Sequence, residues 1–274
     1  MRGGFIGKYV AALLEKDYVV KSFDEDILNI DLDAYIQNVK PQYLIRLAWE
    51  TREGYLTTYK NILFLKKSIE LYEAFYKYGG KKAVFIGTEQ EYNRKKEPLK
   101  ENDLIAPESL YAECKADLGK ILVKYSLITK KNFTWCRLFF VYGYGEKNTR
   151  LMPSIIKGLL NDEVVQCSCE KYIRDYINVE DVARALCCCL FNDYIGAVNV
   201  AGGRATTIGE IAKIIKKNIG GNGEVVFKTH EECNQPVHIQ ADISLLKSFG
   251  YIPKYSLEEG LIKEIEKIKE AEYE

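Results

Sequence analysis

The chain has 274 residues, 47% hydrophobic and 28% charged, which is the balance of a folded globular protein and excludes a disordered or low-complexity one. Its 39 Lys+Arg are matched by 39 Asp+Glu, so the basic excess of a nucleic-acid binder is missing. No apolar run approaches the roughly 20 residues of a membrane helix, and no signal-peptide layout opens the sequence, so a cytoplasmic protein is expected, with neither membrane nor nucleic acid as partner.

In chain order, Val10 to Leu14 carries apolar residues at helical spacing, and Tyr18 to Phe23 reads as a short strand. Asp33 to Val39 reads as a helix ending before Pro41, and Tyr43 to Ala48 as a strand. A long helix is predicted over 57–78, closed by Gly79-Gly80, then a strand from Ala83 to Gly87. Tyr111 to Leu127 is helical and Phe133 to Tyr142 is a strand. Beyond residue 150, helices are expected at Leu151–Leu160, Val179–Phe191, Ile208–Asn218 and from Leu257 onward, with strands at Ala197–Val200 and Glu224–Phe227. Alternating β and α segments imply a parallel sheet covered by helices on both faces. The expected organisation is a first α/β domain over 1–150 and a smaller domain over 151–274, with segments near 176–202 returning to the first.

Eight cysteines contain no CxxC pair and are expected to be buried, reduced thiols. The two histidines, His230 and His238, are isolated, so no metal site is predicted.

Three motifs carry chemistry. Gly4-Phe5-Ile6-Gly7 precedes a helical pattern, and a glycine turn at a helix N-terminus lets backbone N–H groups approach a pyrophosphate. Tyr111 and Lys115 are one helical turn apart on one face, so an ammonium there is expected to lower the phenol's pKa and make it an acid/base. Thr88 ends the strand at 83–87, where ligands of open parallel sheets bind.

In this order the motifs resemble those of the extended short-chain dehydrogenase/reductases, the NAD-dependent epimerase/dehydratases that act on nucleotide-diphosphate sugars. GFIG at 4–7 is similar to the end of the family's TGATGFIG loop. Leu47-Ala48 resembles its HLAA segment, with Arg46 where His is usual. IGTEQEY at 86–92 resembles S-[ST]-x-x-x-Y, and YAECK at 111–115 its YxxxK. RLFFVYG at 137–143 resembles R-x-x-N-V-Y-G, with Phe140 in the Asn position. RDYINVEDVA at 174–183 and ADISLLKSFGYIPKYSLEEGL at 241–261 resemble two further family segments.

The resemblance implies a Rossmann-like doubly wound α/β fold with a smaller C-terminal α/β substrate domain, lacking the family's first strand and first loop glycine. It implies NAD, or NADP, held by Gly4, Phe5, Ile6, Gly7, Asp24, Asp31, Leu32, Leu47, Ala48, Asn61, Tyr111 and Lys115. Thr88, Tyr111 and Lys115 would be catalytic, with Tyr111 exchanging a proton with the sugar, commonly at C4. Thr88, Glu89, Gln90 and Arg174 would contact the nucleotide sugar. Dehydratases of the family carry Asp-Glu after the Thr; Gln90 cannot take a proton from carbon, so dehydration is disfavoured. The expected activity is therefore 4-epimerisation, with 4-keto reduction as the alternative and a truncated, non-catalytic sugar-nucleotide or partner binder as a third reading. A misassigned translation start is the other explanation of the short N-terminus. Asn234-Gln235-Pro236 stands where Arg-Pro-Gly is common. The helices at 57–78 and 115–127 would form a homodimer interface, as is common in the family.

Overall fold

The computed structural model describes residues 4–23, 25–229 and 237–272. Asp24, His230, Cys233 and Asn234-Gln235-Pro236 lie outside the described residues.

The first half comprises helix α1 (Phe5–Leu14), α2 (Leu32–Val39), strand β1 (Tyr43–Arg46), α3 (Lys60–Lys77), β2 (Lys82–Thr88), α4 (Leu110–Thr129) and β3 (Asn132–Leu138). Helix starts follow from local capping. The Asp31 carboxylate accepts from the Ala34 N–H at 3.1 Å to open α2, and the Ser109 hydroxyl accepts from Ala112 N–H at 3.2 Å to open α4. Lys40 and Lys130 end these helices in the left-handed region at φ 45° and 54°.

The second half comprises β4 (Phe140–Tyr142), α5 (Leu151–Leu160), β5 (Val164–Cys167), β6 (Ile173–Asn178), α6 (Val179–Leu190), β7 (Gly196–Val200), β8 (Ala205–Thr207), α7 (Ile208–Ile219), β9 (Glu224–Phe227), β10 (His238–Ile239), α8 (Ser244–Ser248) and α9 (Leu257–Glu272). Thr207 and Glu210 form a reciprocal capping box at the start of α7.

The main sheet is parallel in the order β1-β2-β3-β7, with Thr88 opposite Leu138 at its carboxyl end. One apolar core fills the face covered by α1 and α6, and a second fills the face covered by α2, α3 and α4. The run predicted as one strand over 133–142 divides at Phe139. There β3 stays in the main sheet, while β4 pairs with β6 in a second sheet that also holds β10 and antiparallel β8. A third core packs α5, α7 and α9 around the β5–β9 pair.

Two expectations are corrected. Tyr18 to Phe23 is not a strand. A strand needs a neighbour to pair its backbone, and the outer edge of β1 faces no described strand. Between that edge, α1 and α2 runs a cavity of about 1010 Å³, walled by residues such as Val10, Leu14, Ile36 and Leu44, with Tyr18 to Phe23 on its rim. The second correction is Cys169, which is disulfide-bonded rather than reduced. Cys114, Cys136, Cys167, Cys187, Cys188 and Cys189 are free.

Candidate active site

The carboxyl end of β2 supplies the first group. Thr88 is 6% exposed and caps a single 3-10 turn at Glu89–Glu91. Its N–H donates to Glu91 Oε1 at 2.9 Å, and its hydroxyl accepts from Gln90 N–H at 3.4 Å. Beneath it Glu91 is fully buried and accepts from Trp135 Nε1 at 3.0 Å and Arg137 Nε at 2.7 Å. Arg137 in turn donates to the Tyr92 hydroxyl at 2.9 Å, and Tyr92 donates to Asn199 Oδ1 at 2.6 Å. Charge-assisted bonds of this kind are roughly twice as strong as neutral ones. They hold Thr88 from both the backbone and the strand behind it. The sequence reading missed Glu91, although Thr88-x-x-Glu91 has the spacing of a capping box.

The first turn of α4 supplies the second group. Tyr111 is half-buried, and its phenol is hydrogen-bonded with Thr88. Its backbone N–H donates to Leu56 O at 3.0 Å, and Tyr55 packs edge-on at 4.9 Å between ring centroids. The helix can lie this close because Gly119, one strand-width deeper, faces Trp135; a Cβ there would stand 2.6 Å from the indole.

Lys115 lies one turn along, 2% exposed, its ammonium donating to Ile86 O at 2.6 Å and sitting 4.4 Å from the centroid of the Trp49 ring and 5.7 Å from that of Tyr111. Burial, then the positive charge of Arg46, pull its pKa down to about 7, with Glu91 opposing. The expected lowering of the Tyr111 pKa is corrected. Burial pushes the phenol up, only the Thr88 hydrogen bond works against it, and the carboxylates of Glu91 and Glu89 add to the rise.

The residues expected to hold a cofactor divide. Gly4 is the N-cap of α1 and makes no side-chain cap, so the first-turn N–H groups of Phe5, Ile6 and Gly7 have no capping side chain among the described residues. Gly7, Leu32, Leu47 and Ala48 line the 1010 Å³ cavity; Thr88, Tyr111 and Lys115 do not. Asp31 uses its carboxylate as the α2 cap, and Leu32 is 3% exposed in the core. Asn61 is fully buried and committed to the 49–61 loop: it accepts from Trp49 Nε1 at 2.8 Å and donates to Tyr55 O at 2.7 Å and Thr58 O at 3.0 Å. Open helix N–H groups, an adjoining apolar cavity and a lysine amine beside a tyrosine fit a dinucleotide at its pyrophosphate and ribose. Asp31 and Asn61 fit structural roles.

Among the expected substrate residues, Glu89 is 6% exposed and ion-paired with Arg94, and burial raises its pKa despite Arg94 and Arg174. Gln90 is half-buried. Arg174 is 3% exposed, donates to Ile173 O and Val237 O at 2.9 and 3.1 Å, and stacks over Tyr172 at 4.6 Å and Phe140 at 5.5 Å. Its neighbour Asp175 is fully buried and accepts from Gly203 N–H at 3.0 Å and Ala241 N–H at 3.1 Å.

The model of the NAD dependent epimerase/dehydratase family matches residues 3–201. A putative UDP-glucose 4-epimerase of Methanocaldococcus jannaschii is 27% identical, covering 94% of this chain and 93% of its own. A putative GDP-L-fucose synthase of Arabidopsis thaliana is 26% identical over 253 residues, 84% of this chain and 76% of its own. The crystal structure of UDP-glucose 4-epimerase from Thermotoga maritima with UDP-glucose superposes with a TM-score of 0.83 at 26% identity, covering 98% of this chain and 97% of that one.

Proposed function

The chain belongs to the NAD dependent epimerase/dehydratase family, and on that premise we propose that it is an NAD(P)-dependent nucleotide-diphosphate-sugar 4-epimerase with Tyr111 as its acid and base. The observation that carries the reading is the meeting of Thr88, at the carboxyl end of β2, with Tyr111, in the first turn of α4, the Lys115 amine lying 5.7 Å from the Tyr111 ring centroid.

Bound at the open N-terminus of α1 and along Gly7, Leu47 and Ala48, NAD supplies a reversible hydride acceptor for the oxidation of a sugar hydroxyl. The protein's part is proton handling. Thr88 holds the sugar oxygen on one side while Tyr111 takes its proton on the other and later returns it to that same oxygen, on whichever face of the ring the oxygen then stands. Half-buried Tyr111 holds its proton tightly in the free protein, and positive charge supplied by a bound oxidised cofactor would make the phenolate more accessible. Arg174 and Gln90 are assigned to the nucleotide sugar by their match to the family's motifs, and Gln90 provides no base for dehydration. The same site reduces a 4-keto sugar if NAD(P)H arrives with the substrate, and the likeness to GDP-L-fucose synthase supports that second reading. The exposed apolar face of α4, with Ile121 and Ile128 51% and 68% exposed, supports a homodimer. The absence of any membrane-length apolar helix among the described residues supports a cytoplasmic site of action.

The test is titration with NADH and NADPH followed by turnover of UDP-, GDP- and dTDP-hexoses. Micromolar cofactor binding and cofactor-neutral interconversion of 4-epimers are expected. Stoichiometric consumption of NAD(P)H with a 4-keto substrate would select the reductase. Tyr111→Phe should lose about 10²- to 10⁴-fold in turnover with cofactor affinity retained. Full activity in that variant, or no cofactor binding by the folded chain, would overturn the proposal.

A further inference from the structure

Glu264 stands in α9 between Leu261 and Ile265, which pack into the third core, and is itself 2% exposed. Both of its carboxyl oxygens are buried, and neither has a hydrogen-bond partner among the described residues. Its neighbour Lys263 donates instead to Glu180 and to the Tyr255 hydroxyl. One turn earlier, Gly260 faces β4 so closely that a Cβ there would stand 2.0 Å from the Tyr142 hydroxyl. The helix is thus pressed against the end of β4, beside the 143–150 loop that leaves that strand.

The groups facing Glu264 come from three elements: Glu146 in the 143–150 loop, Tyr142 of β4 and Tyr9 of α1. The Glu146 side chain is 9% exposed and accepts from Arg150 Nε, the N-cap residue of α5, at 3.2 Å. Tyr176 of β6 faces Glu146 and Arg150, while Glu180 and Asp181 of α6 face Tyr9 and Tyr142. From α7, Lys217 reaches α9 at Glu258, on the exposed side. The guanidinium in this seam is therefore spent on Glu146. An ionised Glu264 would be a buried carboxylate without a donor, set against a second carboxyl, which is a costly arrangement. A proton on Glu264 removes that cost.

The same loop carries α1. The Tyr9 hydroxyl donates to Tyr144 O at 2.8 Å, and a Cβ at Gly145 would stand 4.0 Å from the Phe5 ring. The 143–150 loop so joins the C-terminal helix to the first turns of α1.

We infer that Glu264 stands as a neutral acid and that its proton is a latch, which lets α9 pack against the 143–150 loop and, through that loop, seats α1. Loss of the proton sets two carboxylates against each other and loosens the loop. Burial, then Glu146, push the Glu264 pKa up to about 8, and burial brings Glu146 to about 7 against the pull of Arg150. The latch therefore opens just above neutrality. It does not depend on the proposed activity, and its tests need neither cofactor nor substrate.

The first experiment is an NMR titration of the full chain labelled at glutamate Cδ, with Glu264→Gln to assign the signal. A wild-type midpoint near 8 is expected; one below about 5.5, near the ordinary carboxylate range, would overturn the inference. Amide hydrogen exchange, corrected for its intrinsic pH dependence, reads the latch. From about pH 6 to about pH 9, protection of residues 143–150 and of α1 should fall about tenfold in the wild type and stay level in Glu264→Gln, whose amide does not ionise. An equal change in both would overturn it. Stability has a definite sign. The folded pKa lies above the unfolded value of about 4.3, so the stabilisation is full below about pH 4 and is lost as pH rises to about 8. The ratio of wild-type to Glu264→Gln unfolding constants should rise about tenfold per pH unit between about 5 and 7 and level off above about 8. A flat ratio would overturn the latch. Glu264→Leu, also neutral, carries the same expectation should the glutamine variant fail to fold.

Discussion

The two flanks of β2 are built on opposite principles. On the β3 side, Glu91, Trp135, Arg137, Tyr92 and Asn199 form a buried chain of hydrogen bonds in which every link has a partner. On the β1 side, no described strand pairs with the sheet's edge, a cavity of about 1010 Å³ lies beside it, and a strand-like sequence at 18–23 runs past it without a ladder. Thr88 is tied to the rigid flank through Glu91, Tyr111 and Lys115 bridge to the loop that follows β1 through Leu56, Tyr55 and Trp49, and Gly7, Leu47 and Ala48 stand on the open flank. Proton transfer demands fixed distances. A cofactor site can be completed by its ligand.

Substitutions on each flank sharpen or break this contrast. Glu91→Ala leaves Arg137 buried without its carboxylate and should cost about 3–5 kcal/mol in denaturant unfolding; a loss under 1 kcal/mol would mean the network is not rigid. Gly87→Ala puts a Cβ 2.4 Å from Glu91 Oε1 and Trp135 Nε1, and about 1–3 kcal/mol should be lost. On the other flank, Asp31→Ala removes a helix cap and should lower stability by about 1 kcal/mol, with NADH affinity unchanged. A fall in NADH affinity would restore the carboxylate to the cofactor site. Val19→Ser, at a side chain 91% exposed, should leave the melting curve within about 0.5 kcal/mol of wild type. A cost rivalling that of Gly87→Ala would show the open flank to be as tightly packed as the other.

The same contrast governs what the sequence disclosed. The helices and the strands β2, β3 and β7 were legible because apolar period, caps and glycine stops all sit within a few residues of one another. Thr88, Tyr111 and Lys115 were legible as a set because strand end and helix start impose their spacing. Tyr18 to Phe23 misled, since β-branched and aromatic composition describes a residue's fit to a sheet and says nothing of whether a neighbour is there. The β6 strand stayed hidden because Arg174 and Asp175 interrupt its apolar pattern. Asp175 is buried by bonds to Gly203 and Ala241, 28 and 66 residues on, and no local pattern encodes a partner so distant. Asn61 and Asp31 resemble residues of the family's motifs, while their side chains close a loop and cap a helix.

The unpaired edge of β1 also has a consequence for handling the protein. A row of unmatched backbone N–H and C=O groups is a template for any extended chain in reach. Here it begins at Tyr43, 38% exposed, with the rings of Tyr18 and Phe191 packed nearby as a sticky rim. Concentrated samples should therefore self-associate by edge-to-edge pairing before the fold itself melts. Light scattering should register that growth at a lower temperature than circular dichroism registers unfolding, and a lysine placed at Tyr43 should delay it.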